Sequence, residues 1–473
     1  MRAVGENGPQ PDICWQAVFS RDARFDGRFF AGAVTTRIYC RSTCPVPFAR
    51  PNNITWFPSA AAAERAGFRP CQRCRSAASP GTPAWLGTSA VVSRALRLIA
   101  EGALDSGDLV ALADRVGLGA RHLRRLFVEH LGASPVRIAI TRRVHFARNL
   151  IEETNLPITE LAACSGFRSI RQFNHAIRST TGESPTQLRR LRGASVPAPT
   201  PGLLIRLPYR PPFHWTGLLA FLESRAIAGV ESIRCGAYRR TVEIDGVAGV
   251  IQVQHDEAQR QLSVTLELPR YDPLMEIVER VRRMFDLTAD PFQIADQLSR
   301  DSMLRPLLNS QEGLRVPGIW DGFEAAVRAI LGEGLTNRTR RAALTRFVRM
   351  FGKPLKTSTA ELTHIFPSPR DVAEADLAAA GMRGHAAITI RSLAKAILAG
   401  ELTFQASMNL EDAIARLRVV RGISRRAAEY IAMRAFGEPD AFPVPPGKVP
   451  QGSENWRPWR AYAAMHLLRA DWF

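Results

Sequence analysis

The chain has 473 residues, more than the roughly 250 that one hydrophobic core usually supports, so its length predicts three to four domains. Its net charge is +19, and only four of its 63 basic residues are lysines. Codon bias explains part of the arginine-to-lysine ratio, but the charge favours a polyanionic partner such as nucleic acid. No stretch reaches the roughly 18 apolar residues of a membrane-spanning helix, and the first residues lack an apolar signal segment, so we expect a cytoplasmic protein without a membrane partner.

Residues 12–78 contain five of the seven cysteines, four of them in two close pairs. The pairs are Cys40-x3-Cys44 and Cys71-x2-Cys74, with 26 residues between them. Four thiolates at paired short spacings are the ligand set of a tetrahedral zinc ion, because each pair closes a local turn. The pattern predicts one zinc ion, and by spacing alone it favours a structural site in which no ligand reacts.

The sequence around the cysteines narrows this interpretation. The segments RFDGRFFAGAVTTRIYCRSTCP and ITWFPSAAAAERAGFRPCQRCR resemble the N-terminal domain of the Ada methylation-response proteins across residues 12–78. The resemblance implies that Cys40 accepts a methyl group, once per molecule, from methylphosphotriesters in the DNA backbone. Zinc would hold the sulfur as the nucleophilic thiolate. Arg37 stands where the family has a glycine, and it adds a positive charge beside the nucleophile.

Residues 86–194 contain an internal repeat. LVALADRVGLGARHLRRLFVEHLGASP and ITELAACSGFRSIRQFNHAIRSTTGESP each predict a short helix, a glycine turn and a basic amphipathic helix. We expect Leu123, Leu126, Phe127, Phe173 and Ile177 to face the core. The opposite faces either are solvated or contact DNA; their residues are Arg121, His122, Arg124, Arg125, Ser169, Arg171, Gln172 and Asn174. The repeat resembles the AraC-type transcription regulators, which implies two units in successive major grooves of double-stranded DNA.

A Pro-rich linker, SVPAPTPG, precedes strands around one helix and then a mainly helical region. The elements RPPFHW, GAYRR, FDLTADP and WRPWRAYAAMHL resemble the AlkA class of alkylated-base DNA glycosylases. We therefore predict a multidomain α+β protein. Its parts are a four-cysteine zinc α/β domain (12–78), an all-α double helix-turn-helix domain (86–194), a mixed α/β TBP-like domain (203–298) and an all-α helix-hairpin-helix glycosylase-like domain (299–473).

The resemblance places the hairpin in RVVRGISRRAAEYIAMRAFG. Its turn, Gly422-Ile423-Ser424, retains one of the family's two glycines, and Arg425 follows, so we expect Gly422, Ser424 and Arg425 to contact a DNA phosphate. The family's base pocket corresponds to Tyr430 and Trp215. Glu333 stands near the expected DNA backbone, where an acidic residue is unfavourable.

Proline replaces a carboxylate at the expected catalytic position. Glycosylases of this class use an aspartate to stabilise the charge that develops as the base leaves, and Pro446 occupies that place here. Two hypotheses follow: a complete alkylation-response protein with base excision, or a methylation-sensing regulator whose C-terminal domain binds DNA without catalysis. In a third possibility, Asp440 or Glu438 takes over the carboxylate role. Under each of these alternatives, we expect alkylated DNA, promoter DNA and RNA polymerase as partners.

Three cysteines lie outside the quartet. Cys14, Cys164 and Cys235 are isolated in sequence, and we predict that Cys164 and Cys235 are buried as small hydrophobic residues, Cys235 within a strand. The chain has no Pro-Cys-His-Arg motif of the kind used to repair methylated guanine, so that activity is not predicted.

Overall fold

The computed structural model describes residues 10–74, 76, 90–191, 202–355, 360–378, 382, 384–404, 410–445 and 447–467. The first unit is a small sheet with two helices. Its elements are α1 (Pro11–Phe19), β1 (Phe30–Ala33), β2 (Ile38–Cys40), β3 (Ile54–Phe57), α2 (Ala60–Arg65) and β4 (Arg69–Pro70). The strand order is β3-β1-β2-β4, and β2 and β4 run parallel with Tyr39 opposite Pro70. Because parallel strands end at the same edge, Cys40 at the end of β2 and Cys71 just after β4 come together.

The second unit is all-helical and contains both predicted helix-turn-helix repeats. Its helices are α3 (Ala90–Ala100), α4 (Ala103–Ser106), α5 (Leu109–Arg115), α6 (Ala120–Leu131), α7 (Pro135–Glu153), α8 (Ile158–Cys164), α9 (Ile170–Thr181) and α10 (Pro185–Leu191). The turn glycines Gly117 and Gly166 adopt φ of 73° and 71°, as a tight left-handed turn requires. The 19-residue α7 connects the repeats.

The third unit is a five-stranded antiparallel sheet in the order β5-β9-β8-β7-β6, with helices. Its elements are β5 (Leu203–Pro208), α11 (Trp215–Glu223), β6 (Glu231–Arg234), β7 (Ala237–Ile244), β8 (Val247–Asp256), β9 (Gln261–Glu267), α12 (Leu274–Met284) and α13 (Pro291–Leu298). The predicted burial of Cys164 is confirmed, and burial raises the pKa of its thiol to about 12. The prediction for Cys235 is wrong: it is exposed at φ 50° in the turn between β6 and β7. The signal of the turn is Gly236, which follows Cys235 directly and adopts φ 72°.

The fourth unit is mainly helical. Its elements are α14 (Leu304–Ser310), α15 (Gly322–Gly332), α16 (Asn337–Phe351), β10 (Lys353–Pro354), β11 (His364–Ile365), α17 (Pro369–Val372), α18 (His385–Leu398), α19 (Leu410–Arg418), α20 (Arg425–Ala435) and α21 (Arg460–Leu467). Ile227 and Val230 of the third unit join its main hydrophobic cluster, so the two units share a core. The predicted multidomain fold class is confirmed. Among the described residues, no helix has the length and apolar character needed to cross a membrane.

Candidate metal centre and DNA-binding surfaces

The four predicted zinc ligands meet in one cluster. The sulfur atoms of Cys40, Cys44, Cys71 and Cys74 all lie within 4.8 Å of one another. A tetrahedral zinc ion with Zn–S bonds of about 2.3 Å places its sulfurs about 3.8 Å apart, so this donor set fits zinc. The backbone N–H of Cys71 donates to Tyr39 O at 3.0 Å, which fixes the second pair against β2.

Cys40 differs from the other three ligands in its exposure. It is half-buried, whereas Cys44, Cys71 and Cys74 are buried. The next residue, Arg41, donates from Nε to Asp26 at 2.9 Å, and burial lowers the pKa of this arginine to about 10. Of the four sulfurs, Cys40 is therefore the one that an external methyl donor reaches most easily.

Arg37 has a backbone conformation that glycine adopts more readily, in agreement with the glycine that the Ada-type domain has at this position. Its φ is 54°, in the left-handed region where glycine is usual. Its guanidinium lies over the Phe68 ring, 5.2 Å from the centroid, and reaches Ala66 O at 3.4 Å. The arginine thus compensates for the backbone strain by packing on the zinc unit itself.

A buried carboxylate joins the zinc unit to α7. The side chain of Glu64 is 2% exposed and accepts hydrogen bonds from Tyr39 Oη at 3.0 Å, Thr141 Oγ1 at 2.6 Å and His145 Nε2 at 3.0 Å. Tyr39 directly precedes Cys40, and the other two donors belong to the helix-turn-helix unit. The strand that ends at Cys40 is therefore hydrogen-bonded, through one side chain, to the helix that connects the two repeats.

The zinc unit also contacts the C-terminal ends of both basic helices. Gly132 ends α6 at φ 69°, and a Cβ there would lie 2.8 Å from the Cβ of Ala62. Gly182 ends α9 at φ 84°, and a Cβ there would lie 2.9 Å from Arg69 Nη1. The two glycines of the repeated Gly-x-Ser-Pro sequence thus permit close docking as well as helix termination.

The predicted core-facing and DNA-facing residues of the two repeats differ in burial as expected. Leu123, Phe127, Phe173 and Ile177 are buried, while Leu126 is partly buried against the same core. All eight residues proposed to contact DNA are exposed: Arg121, His122, Arg124, Arg125, Ser169, Arg171, Gln172 and Asn174. Ser169 also caps α9, because its hydroxyl accepts from Gln172 N at 3.2 Å. A capping role leaves Ser169 less available for a base edge than its neighbours.

In the hairpin of the fourth unit, carboxylates already bind the residues expected to contact phosphate. Gly422 has φ 103°, and Ser424 caps α20. The Ser424 hydroxyl donates to Glu333 Oε1 at 2.6 Å, although 91 residues separate the two. Arg425 pairs with Glu411 at 2.7 Å and Glu429 at 3.1 Å. A DNA phosphate at this turn would have to compete with these three carboxylates.

The two predicted base-pocket aromatics do not lie together. Tyr430 belongs to the main cluster of the fourth unit, where Arg434 Nη1 donates to its hydroxyl at 3.0 Å. Trp215 belongs to the core of the third unit, stacks on His255 and donates from Nε1 to Gly236 O at 3.1 Å. Trp215 is thus placed as a core residue, and the sequence order alone does not distinguish these locations.

The acidic residues near the position where the resemblance places a catalytic aspartate are engaged in ion pairs. Asp440 pairs with Arg457 and with Arg460, the latter at 2.8 Å. The Glu438 side chain is 3% exposed and pairs at 2.8 Å with Arg97 of α3, in the helix-turn-helix unit. Pro446 lies outside the described residues. Each candidate replacement carboxylate would therefore have to leave an arginine partner before it could act on a nucleotide.

These features define a class of protein: a zinc-thiolate unit joined to two helix-turn-helix repeats and a glycosylase-like region. Family models match three segments: the metal binding domain of Ada over residues 13–76, a helix-turn-helix domain over 112–191 and the AlkA N-terminal domain over 204–321. The DNA-3-methyladenine glycosylase 2 of Escherichia coli is 32% identical over 277 residues, covering 55% of this chain and 95% of that enzyme.

A relative spans nearly the whole chain. The probable bifunctional transcriptional activator/DNA repair enzyme AlkA of Mycobacterium tuberculosis is 38% identical over 483 residues, which cover 96% of this chain and 95% of that protein. The E. coli bifunctional activator and repair enzyme Ada is 36% identical over 178 residues, 38% of this chain and 49% of that protein. The chain belongs to the family of bifunctional transcriptional activators and DNA repair enzymes that combine Ada and AlkA modules. It is a zinc-containing, DNA-binding protein of the alkylation response.

Proposed function

We propose that Cys40 accepts a methyl group irreversibly from a methylphosphotriester in DNA. The Cys40 sulfur attacks the methyl carbon, the S–C bond forms as the O–C bond breaks, and the phosphodiester oxygen leaves with the electron pair. Zinc supplies the thiolate form of the sulfur at neutral pH. The observation that carries this proposal is the exposure of Cys40 beside three buried sulfurs.

Methylation would then act as a switch for DNA binding. Four thiolates on one divalent ion leave two negative charges in excess, and conversion of one sulfur to a thioether removes one of them. Repulsion from DNA phosphates falls accordingly. The exposed faces of α6 and α9 would bind promoter DNA, and the bound protein would recruit RNA polymerase to repair genes.

The first test locates the methyl group directly. The zinc-loaded chain is incubated with duplex DNA carrying isotopically labelled methylphosphotriesters, and its peptides are mapped by mass spectrometry. We expect one methyl per molecule, on the peptide that contains Cys40. A label on Cys44, Cys71 or Cys74, or transfer that persists in Cys40→Ala, would refute the assignment.

We further propose that the fourth unit binds DNA without excising bases. The support comes from Asp440 and Glu438, whose carboxylates are held by arginines, and from Glu333 at the hairpin. Neither Asp440 nor Glu438 is placed to stabilise positive charge on a sugar without rearrangement. The alternative, active base excision, is favoured by the similarity to a 3-methyladenine glycosylase over 95% of that enzyme.

Base release distinguishes these alternatives. Single-turnover assays on DNA containing 3-methyladenine should show no release above spontaneous depurination for the wild type. Release by the wild type would refute the non-catalytic proposal. Its selective loss in Asp440→Asn or in Glu438→Gln would then identify the replacement carboxylate.

A further inference from the structure

A small pocket lies between α15, α16 and the first turns of α20. Its volume is about 30 Å³, enough for an ion of a few atoms. It is lined by Arg328, Ala329, Gly332, Glu333, Arg340, Arg426, Ala427 and Tyr430. Its size and arginine content raise the question of which ligand it accommodates.

The arginines around Tyr430 outnumber their carboxylate partners, although Glu333, bound to the Ser424 hydroxyl, also lines the pocket. Arg328 is neutralised, since its Nη2 lies 2.5 Å from Glu231 and 2.6 Å from Glu324. Three further arginines surround the same tyrosine. Arg340 lines the pocket, Arg225 lines an adjacent cavity that shares Arg328, Arg340 and Tyr430, and Arg434 donates to the Tyr430 hydroxyl. Among the described residues, none of these three has a carboxylate within ion-pairing distance.

The hydrogen bonds of the three arginines go to neutral oxygens. Arg225 donates to Phe221 O and Ser224 Oγ, and Arg434 donates to Tyr430 Oη and Gly318 O. The acceptors of Arg340 are Gly332 O, Leu335 O and Asn337 Oδ1. Backbone and hydroxyl oxygens partly solvate a guanidinium but do not cancel its charge.

Each of the three arginines also has a buried Nε without a hydrogen-bond partner in the described part of the chain. Arg434 is 3% exposed and Arg225 9% exposed, so water does not solvate them freely. Burial, together with the neighbouring Arg434, Arg340 and Arg328, lowers the pKa of Arg225 to about 10, although Tyr430 opposes them. Buried charge that is not paired is unfavourable unless a counterion is bound.

We propose that this pocket binds a phosphate oxyanion. A tetrahedral oxyanion fits the volume, and arginine guanidinium groups provide the paired donors that phosphate oxygens accept. The pocket lies next to the hairpin, because Arg426 and Ala427 are in the first turn of α20, so a terminal phosphate on DNA can reach it as well as free phosphate. This site is independent of methyl transfer by Cys40, and it replaces the base-stacking role expected of Tyr430 with an anion-binding one.

The first experiment uses inorganic phosphate and the full-length zinc-loaded protein. Thermal unfolding is followed while phosphate replaces chloride at constant ionic strength. We expect a saturable rise in the melting temperature, and an apparent Kd about tenfold weaker in Arg426→Gln. The matched control is Arg425→Gln, on the same turn but held by Glu411 and Glu429 outside the pocket. Equal responses of the two variants, or no saturable rise in the wild type, would overturn the proposal.

A second pair of variants covers the case in which Arg426→Gln folds poorly. Ala329 is half-buried and lines the pocket. Ala329→Glu supplies a carboxylate to the cationic pocket, whereas Ala329→Gln adds the same volume without charge. We expect the glutamate variant to melt at a higher temperature than the glutamine variant in phosphate-free buffer, and to lose its response to phosphate. A lower melting temperature for the glutamate variant would contradict a cationic anion site.

The source of the phosphate is distinguished with nicked duplexes that carry either a 5′-phosphate or a 5′-hydroxyl at the nick. If the ligand is a terminal DNA phosphate, the phosphorylated nick binds several-fold more tightly, and the preference disappears in Arg426→Gln but not in Arg425→Gln. If free phosphate is the ligand, the two nicks bind equally while the thermal response to inorganic phosphate remains dependent on Arg426. If neither dependence is seen, the proposal is wrong.

Discussion

Asp286 is a half-buried residue at the junction between the third unit and α21. Its Oδ2 accepts hydrogen bonds from Tyr462 Oη at 2.7 Å and from Val316 N at 3.4 Å. Burial raises its pKa from 3.8 to about 6, against the lowering effects of Arg315 and these hydrogen bonds. The folded protein therefore holds this proton more tightly than the unfolded chain, and the associated stability, present in full below pH 3.8, is lost as the pH rises through about 6.

Asp286→Asn should stabilise the protein at neutral pH. An amide is isosteric and uncharged, and asparagine tolerates the left-handed backbone at φ 49°. A pKa shift of roughly two units predicts a gain in unfolding free energy of at most about 3 kcal/mol at pH 7, which vanishes near pH 4. Denaturant unfolding at several pH values measures it, with the exposed Asp272→Asn as the control. A gain that is independent of pH would contradict the assigned titration.

The residue scale also shows where sequence patterns were informative. The zinc ligands were predictable because each pair is local in sequence and four cysteines at such spacing are typical of a structural zinc site. Cys235 was predicted wrongly, because a small residue between two strand-like segments is compatible with a strand or with a turn, and the burial of an aromatic residue such as Trp215 is compatible with a core or with a base pocket. Their locations depend on which elements pack against them, and no local pattern specifies that.

At the scale of elements, the ends of α6 and α9 have a double function. The helical repeat was predictable from its period and its glycines, but not that the zinc unit docks on these helix ends. The glycine at position 132 indicates a positive φ at the end of α6. Nothing in the sequence indicates that Ala62, 70 residues earlier, lies so close that a Cβ at position 132 would clash with it. Contacts between residues so far apart leave no periodic trace in the sequence.

Gly132→Ala should therefore destabilise the protein more than an ordinary glycine substitution. The positive φ costs about 1 kcal/mol, and the contact with Ala62 adds about 1 to 3 kcal/mol. The control is Gly246→Ala, at φ 74° in a turn where a Cβ meets nothing within 4 Å. Chemical denaturation of both variants tests the difference. If the two lose the same free energy, the zinc unit does not pack tightly on α6.

The hairpin of the fourth unit supports a prediction about DNA affinity. Glu333 accepts from the cap of α20 and places a carboxylate where a phosphate would bind. Glu333→Gln should raise the affinity for non-specific duplex DNA about threefold at low salt, with the difference disappearing at high salt. Fluorescence anisotropy measures this, and Glu374→Gln, an exposed glutamate paired with Lys395 at 3.1 Å, is the control. An equal gain in both variants would indicate a general charge effect instead.

At the scale of the whole molecule, the separate domains predicted from sequence are connected by charged contacts. Glu64 joins the zinc unit to α7, Arg97 of α3 pairs with Glu438, and Arg283 of α12 pairs with Glu101 at 3.1 Å. Composition and motifs define each unit because each has its own core and period. Composition and motifs contain no information about how the units are placed relative to one another, because that placement depends on single residues on the surface of each unit. The proposed coupling of methyl acceptance to DNA binding would act through these contacts.

Glu64→Gln tests whether the zinc unit and the helix-turn-helix unit are energetically coupled. Burial alone would raise the pKa of Glu64, but its interactions with His145, Thr141 and Arg137 lower it below the ordinary 4.5. The carboxylate thus stabilises the docked arrangement above pH 4.5, and this contribution is lost as the pH falls through the lowered pKa. Because glutamine weakens a buried charged network, we expect a loss of about 3 kcal/mol at pH 7 and faster amide exchange along α7. Hydrogen exchange with mass spectrometry measures it in the zinc-loaded protein, with the exposed Glu160→Gln of α8 as the control. Unchanged exchange in α7 would mean that the two units are adjacent but independent, and that the methylation signal reaches DNA through charge alone.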